Sequence, residues 1–415
     1  MLRHLIGIFL IVGFQPVLAQ STAFSSTASA QTATPTPTPK PRTLISQLDH
    51  PWGMAFSKQG LLITERAGQL RVAKQTGQTW QLSQPVKGLP DIEVNGQGGL
   101  LDVAIWHEWV YLSYSKPVGN KSTTAVIRGK LVGDFSSGYR LSETEAIFEQ
   151  KPAYRSRAHF GSRLIVTPDQ HLFITLGDRG RPRDNAQRLD NHHGKLIRLH
   201  LDGRIPADNP FIEHESVFSE KSVFSEKSVL PEKNALPEKN ALPEIWSYGH
   251  RNSQGAALHP ITGVLWTHEH GPKGGDEINI PEPGKNYGWP VITYGEEYRG
   301  GKIGEGTHQT GMEQPMYYWV PSIAPSGMTF YTGKRYPGWN NSLLIGSLKF
   351  RQLVRLTLSR DTEKPLIVAE ERLYGYNQHP TIGERIRDIE QGPDGLIYLL
   401  TDQDNGKLWV LEPDE

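Results

Sequence analysis

A repeating unit constrains this chain more than any other feature. A turn containing Gly, Asp or Pro is followed by a short apolar strand, a polar turn and a second strand. The unit recurs in SKQGLLITERAGQLRV (Ser57–Val72), TPDQHLFITLGDRG (Thr167–Gly180), HPITGVLWTHEHG (His259–Gly271), WNNSLLIGSLKFRQLVRLTL (Trp339–Leu358) and GPDGLIYLLTDQDNGKLWVL (Gly392–Leu411). Strands of about four to six residues with turn signals at short spacing predict an all-β protein. No stretch sustains the 3.6-residue apolar period of a helix. Repetition of one unit along a long chain, with no linker to divide it, points to a single β-propeller rather than paired β-sandwich domains.

The chain opens with Arg3 and His4, an apolar run from Leu5 to Phe14, and Val17-Leu18-Ala19. That order predicts a signal peptide over 1–19, because the apolar run is too short to span a bilayer. The expectation is an exported protein, periplasmic or secreted, with no transmembrane segment in its mature chain. Residues 20–41, rich in Ser, Thr, Ala, Gln and Pro, lack the large apolar side chains of a core and are expected to form a disordered tether. No cysteine is present, so the folded region, 42–415, must rest on core burial alone. The 44 basic and 44 acidic residues balance, which gives no footprint for nucleic acid or a membrane surface. Within 216–243 the chain reads SVFSEK, SVFSEK, SVLPEK, NALPEK, NALPE. This decaying repeat is too polar for a core. It is expected to be a mobile surface insertion, with a partner-binding loop as the alternative.

The densest chemistry lies between Ile245 and Pro290. It contains His250-Arg251-Asn252, His268-Glu269-His270, Gly271-Pro272, Asp276-Glu277 and Asn286-Tyr287-Gly288-Trp289. Backbone that turns sharply beside carboxylates suits a hard cation such as calcium, although the same residues also make ordinary turns. Upstream, NGQGGLLDV carries Gln97, whose amide both donates and accepts. His159 precedes a glycine turn at the start of a strand, where an imidazole serves either as a general base or as a structural group. Downstream, Lys349 follows a strand in GSLKFRQ, and Arg385 and Arg387 of ERIRD alternate onto one strand face. Two such arginines suit a planar carboxylated ligand. The competing reading is a salt-bridged face with Glu384 and Asp388.

Taken in order, LDHPWGMAF, GQGGLLDV, AHFGSRL, LGDRG, IPADNPF, IWSYGHRNSQG, EHGPKGGDEIN, KNYGWP, SLKFRQLVRL and ERIRDIEQGPDG resemble the soluble quinoprotein aldose sugar dehydrogenases, relatives of the soluble quinoprotein glucose dehydrogenases. The resemblance runs over nearly all of Leu44 to Leu411. It implies a six-bladed β-propeller with pyrroloquinoline quinone (PQQ) on one face over the central channel. In this family pattern His159 matches the catalytic base. Arg251 and Asn252 match residues lining the quinone, and Gln97 matches a glutamine at the substrate and cofactor pocket. Lys349, Arg385 and Arg387 match the cations that hold the PQQ carboxylates. The carbonyls of Gly271 and Pro272 match those on the PQQ-associated Ca2+, and Asp276, Glu277 and the Tyr287 carbonyl match a second calcium site. One departure is Ala158, where the glucose dehydrogenases carry an aspartate beside the base. It leaves the orientation of His159 open.

The resemblance implies oxidation of an aldose sugar substrate at C1 to its lactone, with electrons passing to an external acceptor. Two other readings stand beside it: a calcium-dependent propeller lactonase, with a metal held by side chains on the axis, and a secreted propeller that only binds a ligand.

Overall fold

The computed structural model describes residues 38–212, 240–361 and 364–414. Among these, twenty-four strands form six four-stranded antiparallel sheets, the blades of a six-bladed β-propeller. Blade 1 comprises Pro51–Ser57, Gly60–Glu65, Gln69–Thr76 and Thr79–Leu82. Blade 2 comprises Leu100–Trp106, Trp109–Val118, Lys121–Asp134 and Gly138–Glu149. Blade 3 comprises Gly161–Val166, His171–Leu176, Lys195–His200 and Ile245–Tyr248. Blade 4 comprises Ser253–Leu258, Leu265–Glu269, Asp276–Asn279 and Tyr317–Trp319. Blade 5 comprises Pro325–Tyr331, Ser342–Ser347, Gln352–Leu358 and Ile367–Leu373. Blade 6 comprises Ile386–Gln391, Ile397–Thr401 and Gly406–Glu412, and takes its outermost strand, Lys40–Leu48, from the other end of the chain.

Closure follows from that last pairing. Lys40 lies opposite Glu412 and Leu48 opposite Gly406, so first and last strands share one sheet and no edge opens at the seam. The first strand begins at Lys40, inside the stretch expected to be a tether, because Lys40 and Pro41 pair with Glu412 and Leu411, and the buried Pro39 carbonyl before it accepts from Tyr374 Oη at 2.9 Å. Among the described residues, the single named helix is a short 3-10 turn, Arg183–Gln187, and no helix is long and apolar enough to cross a membrane.

Each blade buries both faces, so its second strand reads as a continuous apolar run rather than an alternation. His171–Leu176, for example, is buried at five consecutive positions. A separate apolar cluster fills each of the six gaps between neighbouring blades. Blade 2 departs from the short strands expected: Lys121–Asp134 has 14 residues and Gly138–Glu149 has 12. Two register shifts between these outer strands let them bend beyond the blade.

The signal region, most of the tether and 213–239 lie outside the described residues. The last hexad does not belong to an insertion throughout: Ala241 and Leu242 pack against the core between blades 2 and 3, and the Leu242 amide donates to the Leu189 carbonyl at 2.9 Å.

On the axis, the innermost strands meet through charge. Arg163 Nη1 donates to Asp102 Oδ1 and Asp388 Oδ1, each at 2.9 Å. Arg163 Nε donates to the Gln254 carbonyl, and the Asp388 carboxylate accepts the Met54 amide. Five blades are thereby fixed around one buried guanidinium. Burial pushes the Asp102 carboxyl up to about 6 despite the Arg163 charge.

Candidate active site

The loops that connect strands on one face of the propeller enclose a cavity of about 1370 Å3. That exceeds the roughly 300–1,000 Å3 of a typical single-ligand pocket, which leaves room for two ligands together. Of the residues singled out in the sequence, Gln97, Asn252, Gly271, Pro272, Asp276, Lys349, Arg385 and Arg387 line it. His159 and Arg251 adjoin it through lining residues: the His159 amide donates to Gln97 Oε1 at 2.8 Å, and Arg251 Nη1 donates to the His270 carbonyl at 2.8 Å.

His159 sits at φ 54°, in the left-handed region that non-glycine residues rarely adopt. Its Nδ1 meets Asp178 Oδ1 at 2.6 Å. Asp178, fully buried, also accepts the Gly180 amide at 2.7 Å and Trp289 Nε1 at 2.8 Å. Burial alone would raise its carboxyl pKa, but the hydrogen bond and charge of His159, with the Arg251 charge, outweigh that and hold it below the usual value. An ionised Asp178 can only accept, so Nδ1 carries the proton and Nε2 is the nitrogen left for chemistry. Asp178 thus supplies the orientation that Ala158 cannot. It sits in the LGDRG motif, and its role escaped sequence reasoning because only folding brings it to a histidine 19 residues earlier.

The cations converge as alternation predicted, but with a different partner. Arg385 Nη2 and Arg387 Nη2 both approach Asp402 Oδ2, at 3.4 and 2.8 Å. Glu384 instead pairs with Lys407, and Asp388 with Arg163. The Asp402 carboxyl is pushed up by burial, yet the two arginines hold it well below the usual carboxylate range. Arg387 Nη1 also donates to Gln254 Oε1 at 3.2 Å, and Trp52 lies beneath it, ring centroid 5.8 Å away. Arg385 Nη1 holds the carbonyl of Leu348, next to Lys349. Trp52, Gln254 and Asp402 complete this wall; Trp52 and Gln254 lie in motifs that carry the resemblance, but none of the three was singled out as a site residue.

A planar polyanion fits here on an independent observation. The Nε atoms of Arg251 and Arg387 are buried and lack hydrogen-bond partners, and such donors are costly to leave unpaired. One carboxylate, Asp402, faces the two arginines of the wall, so positive charge remains for a ligand to neutralise.

Of the residues expected at the second calcium site, Asp276 lines the large cavity with Gly271 and Pro272, whereas Glu277 and Tyr287 line a smaller void. Asp276 and Glu277 are consecutive in a strand and point to opposite faces. Asp276 accepts the amides of Gly271, Ile323 and Ala324, each at 2.8 Å. Its carboxylate therefore pins the Gly271–Pro272 turn instead of joining Glu277 on a cation. Glu277 and Tyr287 face a separate void of about 10 Å3, lined also by Glu269 and Arg251. That space matches one water or ion. Burial and the neighbouring Glu269 charge push the Glu277 carboxyl well above its usual pKa. Glu269 itself is engaged, accepting from His250 Nδ1, Asn279 Nδ2 and the Arg251 amide.

The model of the glucose/sorbosone dehydrogenase family matches residues 48–226 and 222–410. The aldose sugar dehydrogenase YliI of Escherichia coli is 41% identical over 387 residues, covering 89% of this chain and 92% of that protein. Quinoprotein glucose dehydrogenase B of Acinetobacter calcoaceticus is 27% identical, covering 87% of this chain and 85% of that protein. Among solved structures, a glucose dehydrogenase superposes with a TM-score of 0.79 at 44% identity, covering 91% of this chain and 100% of its own. The E. coli aldose sugar dehydrogenase in its apo form gives 0.77 at 40% identity, covering 90% of this chain and 99% of its own.

Proposed function

The chain belongs to the glucose/sorbosone dehydrogenase family, and from that premise we propose that it is a quinoprotein oxidoreductase that oxidises the C1 hydroxyl of aldose sugars to the lactone. The observation that carries this reading is an Asp178-oriented histidine adjoining a cavity walled by Lys349, Arg385 and Arg387, with the buried Nε atoms of Arg387 and of nearby Arg251 unpartnered.

Lys349, Arg385 and Arg387 would hold the carboxylates of PQQ, and Trp52 and Asn252 would bound its ring. The Gly271 and Pro272 carbonyls, fixed by Asp276, would face its calcium, and the Glu277–Tyr287 void would take a second calcium ion. PQQ, when bound, supplies a two-electron hydride acceptor.

The remaining work falls to the protein. His159 Nε2 takes the proton of the C1 hydroxyl as hydride leaves C1, so the proton and two electrons depart separately and the lactone carbonyl forms. Asp178 stabilises the imidazolium that results. Arg251, with Trp289 5.2 Å from its guanidinium carbon, would supply positive charge to stabilise the reduced acceptor. In the cofactor-loaded protein the electrons would pass on to an external acceptor.

The lactonase reading requires a metal on the axis, but Arg163 already supplies the positive charge between Asp102 and Asp388 there. A purely binding propeller has no use for His159 locked to a buried carboxylate. The test is dye reduction by the apo-protein given calcium, PQQ and a panel of aldoses. Sugar-dependent reduction that requires PQQ is expected. PQQ binding without turnover on any aldose would contradict the proposal.

A further inference from the structure

The backbone that carries His159 is held by a residue the mechanism has not used. Arg179, next to Asp178, is 1% exposed. Its Nη1 donates to the Ala158 carbonyl at 3.0 Å. Its Nη2 donates to the Ser156 carbonyl at 2.8 Å and to Ser122 Oγ at 3.2 Å. Its guanidinium lies 3.5 Å from the ring centroid of Phe160, which lines the cavity. The grip therefore falls on both sides of His159.

His159 needs such a grip. Its φ of 54° is one that a residue keeps only where its surroundings over-determine it. Asp178 is itself fixed by Gly180 and Trp289, so a shift of the 156–160 segment carries the imidazole away from a carboxylate that cannot follow. Burial lowers the Arg179 pKa to about 10, which leaves it charged at neutral pH. A planar fork can serve two carbonyls, a hydroxyl and a ring face at once, and an ammonium cannot.

We propose that Arg179 is a positioning residue for the oxidation, acting through the backbone of His159 while Asp178 acts through its ring. This inference rests on the dehydrogenase reading of the site, and its test separates the two. In Arg179→Gln, kcat should fall about 10–100-fold, the scale of a small misplacement of a reacting group. The KM for sugar and the affinity for PQQ should stay within about threefold, since Arg179 is buried and is not among the residues that line the cavity. Arg179→Lys should fall between the variant and the parent. Guanidinium at sub-denaturing concentration should restore part of the turnover of Arg179→Ala.

A second readout needs no cofactor. With 15N-labelled histidine in the apo-protein, the Nδ1-protonated signal of His159, assigned by its loss in His159→Gln, should be present in the parent and shifted or averaged in Arg179→Gln. Unchanged kcat or an unchanged His159 signal in folded Arg179→Gln would overturn the proposal. Should that variant fail to fold, parental kcat and signal in Arg179→Lys would overturn it equally. If the PQQ-loaded parent oxidises no aldose, the dehydrogenase reading falls, and the NMR comparison alone decides the clamp.

Discussion

At the scale of single residues, the site turns on which groups fix His159. Asp178 accepts from His159, Gly180 and Trp289 through its two oxygens. Asp178→Asn would place an NH2 against one of these donors and would no longer favour the Nδ1-protonated ring. Turnover should fall by at least about 10²-fold, the lower end of what a positioned base is worth, with PQQ affinity retained. Steady-state kinetics and a separate PQQ titration check both. A loss of PQQ binding instead would place Asp178 in the cofactor site. Residue type and spacing singled out His159, Lys349, Arg385 and Arg387 as candidates without choosing between a structural and a chemical role, and the structure brings the three cations to one cavity that His159 adjoins. Asp178 was present in a recognised motif, but a carboxylate's partner is set by tertiary folding, and LGDRG reads locally as a strand ending in a turn.

At the scale of elements, the site is built from turns that strands deliver and polar side chains lock. Strand alternation correctly brought Arg385 and Arg387 together. The same rule turns the side chains of Asp276 and Glu277 apart, Asp276 to the amides of Gly271, Ile323 and Ala324 and Glu277 to the small void beside Tyr287. The loop between blades 2 and 3 shows how tightly such segments are held. Buried His193 donates from Nε2 to the Pro152 carbonyl at 2.9 Å and accepts from Asn185 at 3.0 Å. Burial, helped by the Lys195 charge, lowers its pKa from 6.5 to about 4. The unfolded histidine thus gains its proton below pH 6.5, whereas the folded one stays neutral until about pH 4. Its contribution is complete above the unfolded value and declines as pH falls between the two, by on the order of 3 kcal/mol in all. The stability difference between the parent and His193→Gln, from denaturant melts, should therefore shrink across that window. A difference independent of pH would show that His193 is not held neutral.

At the scale of the whole molecule, the propeller was readable because blades repeat and both faces of each are buried. Closure was not, since nothing in residues 40–48 announces a partner in 406–412, and the first strand therefore starts within the stretch read as tether. The ring brings loops from separate blades to one cavity: Gln97, before blade 2, and the arginines that open blade 6 line it, and His159, before blade 3, and Arg251, before blade 4, adjoin it through Gln97 and His270. In the proposed reaction this convergence oxidises an aldose, with His159 as base and the cation wall holding PQQ. Rapid mixing of aldose with PQQ-loaded protein, following the quinone absorbance, tests it most directly in the parent and in His159→Gln. PQQ occupancy is measured separately for each. The parent should reduce its quinone on sugar addition, and the variant should hold PQQ equally well while reducing it roughly 10²–10⁴-fold more slowly. Reduction at the parental rate in His159→Gln would contradict the account.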